Sequence, residues 1–400
     1  MKNTFLIAAL ASVVSLFSCS EKKSINVTID ESLAFSAKQY TLMAEVMKGK
    51  PDLLPKSINK EGKLATDSSR NWVSGFFPGS LWYLYEGTKD AKFLEYARLI
   101  NARVEREKFT TNNHDVGFIL YCSFGNGLRL TGEKNYNEIL LTGAKSLATR
   151  FNPKIGCIKS WERPDKWQYP VIIDNMMNLE LMFWATKYSG DSTFYKMAVS
   201  HADNTIKNHY RPDFSCYHVV SYDTITGKVE KRQTAQGYSD ESAWARGQTW
   251  GLYGFTMAYR ETKDKKYLDH AVKIAKYLIS QPNLPADKIP YWDFNAPGIP
   301  NEQRDASSGA IMASALIELS QYVDPEFSKT CLATAEAQIR SLSSPAYRAK
   351  LGENGDFILM HSVTSKPKNV DIDNPLAYAD YYYLEAMLRY KALMSKQKNY

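Results

Sequence analysis

The chain is short of everything that would mark a metal, redox or nucleic-acid centre. Its 400 residues include five cysteines and six histidines, and none of them stands at the spacing of a zinc ligand set, so no metal site is expected. No Ser-His-Asp arrangement is signalled. Gly125-Asn126-Gly127 lies inside a helical pattern and lacks the lysine of a phosphate loop. Lys and Arg outnumber Asp and Glu by 50 to 43, yet no basic run is long enough for a nucleic-acid footprint. A diffuse positive field of this kind suits a small anionic substrate, and generic solubility accounts for it equally well. Beyond residue 18 no apolar stretch is long enough to span a bilayer.

The N-terminus is different. Lys2 precedes a mostly apolar run from Thr4 to Phe17, too short for a transmembrane helix and typical of a signal peptide over residues 1–18. Leu16-Phe17-Ser18-Cys19 is similar to the lipobox of bacterial lipoproteins, with a small residue directly before the cysteine. Cleavage before Cys19 and lipidation of its thiol would anchor an exported domain to a membrane, facing the periplasm or the cell exterior. The alternative is ordinary secretion with an incidental cysteine. Residues 19–30 read as a polar tether and 31–400 as one domain. Cys122, Cys157, Cys216 and Cys331 lie on helical patterns, where buried free thiols are commoner than disulfides.

What the chain has in abundance is aromatic residues, 13% of the total, rich in Tyr and Trp, and a repeated phase. Thr88-Lys89-Asp90, Thr131-Gly132-Glu133, Ser189-Gly190-Asp191 and Thr262-Lys263-Asp264 share one turn signal. Each has an aromatic residue five positions after its Thr or Ser: Phe93, Tyr136, Phe194 and Tyr267. Fifteen or sixteen residues ahead of those turns stand Trp72, Asp115, Asp174 and Arg246. A weaker fifth copy sets Asp305 and Ser307 ahead of Tyr322-Val323-Asp324-Pro325. Each interval is a helix of roughly 23 Å, so the polar and aromatic residues gather at one end of several helices and the tight turns at the other. Twelve helices are predicted, starting near 32, 72, 91, 115, 135, 174, 193, 244, 265, 305, 326 and 378. The Thr or Asp of each turn is a natural N-cap for the helix that follows.

Long connections at 151–172, 210–243, 282–304 and 344–377 all lead into helix starts, which puts them at one mouth. Tyr217 to Val220 and Lys228 to Lys231 predict a small hairpin there. The fold class is all-α, an (α/α)6 barrel with long loops at one mouth; an open solenoid of helix pairs is the competitor.

Asp115 and Asp174 are the candidate catalytic residues. Each opens a helix at matching phase, one beside His114 and one behind Val171-Ile172-Ile173. A carboxylate there can simply cap its helix. Paired carboxylates among Trp and Tyr are also the equipment of glycoside hydrolysis. His114 and His218 are the histidines placed for a site, while His201, His209 and His270 fall in outer-helix segments. Arg246 sits near a helix start, where the dipole disfavours a cation. It reads either as a receptor for an anion or as the partner of Asp240.

Three segments carry a family resemblance: His114-Asp115-Val116-Gly117-Phe118, Ile173-Asp174-Asn175-Met176-Met177-Asn178, and the long run from Gln236-Gly237-Tyr238-Ser239-Asp240-Glu241 to Trp244-Ala245-Arg246-Gly247-Gln248-Thr249-Trp250-Gly251. They resemble the unsaturated glucuronyl hydrolases, glycoside hydrolase family 88, over most of the chain after residue 30. The resemblance implies an (α/α)6 barrel, no cofactor, and an unsaturated oligosaccharide substrate left by a polysaccharide lyase. The reaction it implies hydrates the C4–C5 double bond of a nonreducing-end unsaturated glucuronyl residue, with Asp174 as general acid and base and Asp115 in support. His218, Gln236, Arg246 and Trp250 match substrate-contacting positions, with Trp72 and Trp161 as stacking platforms and His114 beside the pair. His361-Ser362-Val363-Thr364-Ser365-Lys366-Pro367-Lys368 resembles a serine-and-lysine loop that accepts sulfated disaccharides in some members, marking Ser365 and Lys366. Its lysine spacing is not a clean match, so chondroitin, hyaluronan and heparin types stay open. Competing readings are an unsaturated rhamnogalacturonyl hydrolase acting on pectin fragments and a catalytically silent surface glycan-binding lipoprotein.

Overall fold

The turn signals explain themselves in the computed structural model, which describes residues 23–397. Cys19, the signal peptide and the start of the tether lie outside the described residues. The middle residue of each turn adopts a left-handed conformation, with φ of 59° at Lys89, 70° at Gly132, 77° at Gly190 and 58° at Lys263. The hydroxyl before it works in both directions. Thr88 Oγ1 donates to the Leu84 carbonyl and accepts from the Asp90 N–H, and Thr131, Ser189 and Thr262 repeat the pattern. One helix is thereby closed and the next opened within three residues. Asp90, Asp191, Asp264 and Asp324 then cap the following helices through their carboxylates. Glu133 does not cap: the helix Asn135–Ala148 has no side-chain cap.

The helices that follow these turns form the outer layer: Ala91–Asn101, Asn135–Ala148, Ser192–His209, Lys265–Ile279 and Pro325–Leu342, joined by Ile25–Lys48. The inner layer is Phe76–Thr88, a broken helix over 116–131, Asn175–Ser189, Ala245–Thr262, Ala306–Leu319 and Ala377–Gln397. Each inner helix packs on the next, and the last packs on the first, so the ring closes and the solenoid is excluded. The result is the predicted (α/α)6 barrel, with one continuous apolar core between its layers.

Three details differ from expectation. The first helix begins at Ile25, so residues 25–30 are helix rather than tether. Ser24 caps it by accepting from the Val27 N–H, and Ile29 and Leu33 are buried at the i, i+4 spacing that binds the segment to the core. The second begins at Phe76, leaving Trp72 in the turn before it. The fourth carries a π-helical segment at Tyr121–Gly125.

The predicted hairpin is present as Val219–Tyr222 paired with Val229–Gln233, and Pro170–Ile172 adds a third strand. This small sheet matters to the mouth because it aligns Ile172 with Val219, and the Ile173 N–H donates to the His218 carbonyl at 3.1 Å. Asp174 and His218 are therefore delivered side by side. A second hairpin, Ser362–Ser365 with Val370–Asn374, lies over the same end. Cys122, Cys157, Cys216 and Cys331 are free and buried. Among the described residues no helix is long and apolar enough to cross a membrane, and no cluster of His, Cys, Asp or Glu fits a metal ion.

Candidate active site

Asp115 and Asp174 each stand immediately before an inner helix, Val116–Leu120 and Asn175–Ser189, and neither side chain caps it. The capping explanation thus fails for both. Asp305, at the same phase, does cap, accepting from the Ser307 N–H. The two uncapping carboxylates are largely buried, 13% and 10% exposed at the side chain. Burial pushes the Asp115 carboxyl up to about 8, helped by the charge on Asp174 and opposed by Arg150. Burial likewise raises Asp174 to about 6, opposed chiefly by the charge on Arg246. Two coupled acids of this kind hold one proton between them near neutrality.

A histidine accompanies each acid. His114 Nε2 lies 3.4 Å from Asp115 Oδ1, and burial lowers its pKa to about 3, so it is neutral. His218 Nδ1 accepts from the N–H groups of Ala235 at 3.1 Å and Gln236 at 3.3 Å. With its lone pair so engaged, the proton of the neutral ring belongs on Nε2, which lies 3.6 Å from Asp174 Oδ1. Burial keeps this histidine well below its usual range. Asp174 Oδ1, His218 Nε2, Trp250 Nε1 and Ser365 Oγ are all buried without a hydrogen-bond partner among the described residues. Buried polar atoms are rarely left so.

Aromatic rings frame the pair. Trp161 meets His218 edge-on at 6.0 Å and Trp167 at 5.9 Å. Trp244 lies 4.4 Å from the His218 ring. Trp72 packs 4.9 Å from Tyr378 and 5.6 Å from Phe118. Trp250 is fully buried between Phe118 and Tyr382, a floor of the mouth rather than a platform on it. Gln236 Nε2 donates to the Thr364 carbonyl at 2.8 Å, joining the 236–251 segment to the far hairpin.

Two expected anion receptors are otherwise engaged. Arg246 is 1% exposed and donates to Asp305 at 3.2 Å and to the carbonyls of Val363 and Thr364. Its guanidinium lies between the rings of Trp244 and Tyr378, 4.5 and 5.3 Å away. It is a cornerstone of the mouth, paired with Asp305 and not Asp240, whose carboxylate accepts from Thr234 N–H instead. Lys366 forms an ion pair with Glu302 and donates to Gln303 at 2.6 Å. The neighbouring Lys368 is exposed and, among the described residues, has no ion pair. Its pKa is lowered by burial and by Arg163 and Lys166 beside it.

Sequence reasoning missed Arg150, whose charge reaches Asp115 from the end of an outer helix and which no motif marks. It also missed Arg163 and Lys166; the only signal for them was their place in the long 151–172 connection. His201 and His209 are buried behind the sheet as expected of structural residues, His201 accepting from the Ile158 N–H and His209 contacting the Val171 carbonyl.

A coupled pair of buried acids at a tryptophan-lined mouth of an (α/α)6 barrel defines a glycan-hydrolysing enzyme class. Known proteins agree. Glycosyl Hydrolase Family 88 matches residues 45–386. An unsaturated glucuronyl hydrolase of Formosa agariphila is 46% identical over 330 residues, 82% of this chain and 82% of that protein. The crystal structure of an unsaturated glucuronyl hydrolase specific for heparin superposes with a TM-score of 0.90 at 46% identity, covering 92% of this chain and 98% of that one. An unsaturated chondroitin disaccharide hydrolase of Streptococcus agalactiae is 31% identical over 91% of this chain and 92% of its own length. The chain belongs to glycosyl hydrolase family 88.

Proposed function

We propose that this enzyme hydrates the C4–C5 double bond of a nonreducing-end unsaturated glucuronyl residue on lyase-generated glycosaminoglycan disaccharides. The observation that carries the reading is the unpartnered Oδ1 of Asp174, buried beside the Nε2–H of a neutral His218. Asp174 delivers the proton of the pair to C4 of the vinyl ether. The cation that forms at C5 is stabilised by the ring oxygen, water adds there, and Asp174 takes the proton the water loses. The C5 hemiketal then opens and the amino sugar leaves. Asp115 holds the proton between turnovers, and His218 orients the carboxylate of Asp174.

The leaving sugar is met by the far hairpin. We assign Lys368, with Lys166, to an anionic substituent on it, in place of Lys366, which Glu302 neutralises. The similarity to a heparin-specific enzyme favours a heparin-type disaccharide as first choice. The Leu16-Phe17-Ser18-Cys19 motif supports export of the single catalytic domain and its anchoring through lipidated Cys19.

The test is loss of the conjugated uronate absorbance across chondroitin, hyaluronan, heparin and rhamnogalacturonan disaccharides, run in D₂O so that NMR reads deuterium at C4. Asp174→Asn should lose about 4 kcal/mol of transition-state stabilisation while still binding substrate. Binding of glycan with no loss of the double bond on any substrate refutes the proposal, as does a fully active Asp174→Asn variant.

A further inference from the structure

The helices that carry Asp115 and Asp174 touch one turn below the two carboxylates. Phe118, three residues after Asp115, has one of the backbone N–H groups that a helix start leaves without an intrahelical acceptor. Asn178, four residues after Asp174 and so on the same face of its helix, supplies that acceptor: its Oδ1 receives the Phe118 N–H at 2.8 Å. The approach is possible because residue 117 is glycine. A Cβ there would fall 2.6 Å from the Asn178 Cα and 2.8 Å from its Cβ.

Asn178 is fully buried, and its Nδ2 has no partner among the described residues. An amide with one half unsatisfied is a costly way to fill a core position that leucine or methionine would fill without loss.

We propose that Asn178, together with Gly117, is a positioning residue that sets the separation of Asp115 and Asp174 by clamping the starts of their helices to each other. The proposal rests on the reading of Asp115 and Asp174 as the acid pair. The groups that act on Asp115 are Asp174 across the clamp, Arg150 from the outer helix, and His114 beside it. Of these, only the Asp174 charge depends on the clamp. Releasing it should weaken the repulsion that helps hold the Asp115 proton, and should misplace Asp174 against the substrate without removing a substrate contact.

The decisive measurement needs no catalysis. The ¹³Cγ shift of Asp115, assigned by its loss in Asp115→Asn, is followed against pH in labelled wild-type protein and in Asn178→Ala. Asn178→Ser, which keeps a hydroxyl in the slot, serves if the alanine variant does not fold. The midpoint should fall by at least one pH unit from its wild-type position near 8. In parallel kcat should drop on the order of 10- to 100-fold with KM changed less than about twofold, the split expected when geometry rather than binding is lost. A folded variant whose Asp115 midpoint moves by less than about 0.3 unit overturns the clamp even if its activity falls. Because the titration is read without substrate, that result is separate from any failure of the proposed reaction.

Discussion

Replacing Asp115 by Asn tests the acid pair most directly, because it keeps the shape of the side chain and removes one of two coupled titrations. In the wild type the active form is the one with a single proton on the pair. Its acid limb lies where Asp174 takes up a second proton, near 6, and its basic limb where Asp115 gives up the last, near 8. Both values are above the ordinary carboxylate range, so the sign is set: raising the pH ionises the pair, and activity falls through about 8. With Asn at 115, Asp174 alone must hold the donated proton. The acid limb disappears and the basic limb moves down to about 6. A displacement of about two units is worth roughly 2.7 kcal/mol, so the variant should lose about 100-fold in kcat/KM at pH 8 relative to its own value at pH 5. This comes on top of whatever Asp115 contributes to positioning. The assay is kcat/KM from initial uronate absorbance between pH 4.5 and pH 9, with thermal melting at each pH to exclude unfolding. A variant that keeps a basic limb near 8, or a wild type flat across the range, would sink the shared-proton mechanism.

Arg246→Ala should act mainly on the fold, since it strands Asp305 as a buried charge; about 3–5 kcal/mol of stability should go, read as a fall in Tm with impairment on every substrate alike. An unchanged Tm would return Arg246 to the role of substrate receptor. Lys368→Ala should weaken sulfated disaccharides by about 1 kcal/mol in kcat/KM and leave unsulfated ones alone, given the exposure of the residue; equal losses on matched pairs would remove the assignment. Cys19→Ser should shift the enzyme from the membrane to the soluble fraction with its kinetics intact, and continued membrane association would exclude the lipid anchor.

The barrel was legible in the sequence because its turns are local chemistry. A hydroxyl that bonds back to residue i−4 and forward to residue i+2, a left-handed middle residue and a capping Asp all fall within three positions, as at Thr88-Lys89-Asp90. Counting back from such turns gives the level of each inner helix in the barrel, and Asp115 and Asp174 fall at that level. Whether they capped their own helices was not legible, because that depends on side-chain orientation and not on spacing. The start of the first helix was hidden for a similar reason: Asn26, Thr28 and Asp30 read as tether until Ile29 and Leu33 have a core to meet.

Arg246 is more instructive. Asp240, six residues away, is an acidic candidate near it along the chain, and closeness along the chain is the wrong measure. Its partner is Asp305, on the next inner helix, and the repeated phase had already placed both residues at the same level of the mouth. The same rule holds around the ring. Trp72 meets Tyr378, Tyr378 flanks Arg246, Arg246 pairs with Asp305 and tempers Asp174, and Asp174 repels Asp115. In a closed ring of parallel inner helices, equal phase amounts to spatial proximity, and the phase repeat therefore contains the contacts of the site as well as its location. Lys366 and Lys368 fall outside that logic because they sit beyond the end of a hairpin strand. There the register of the turn decides which lysine meets Glu302 and which is left beside Arg163 and Lys166.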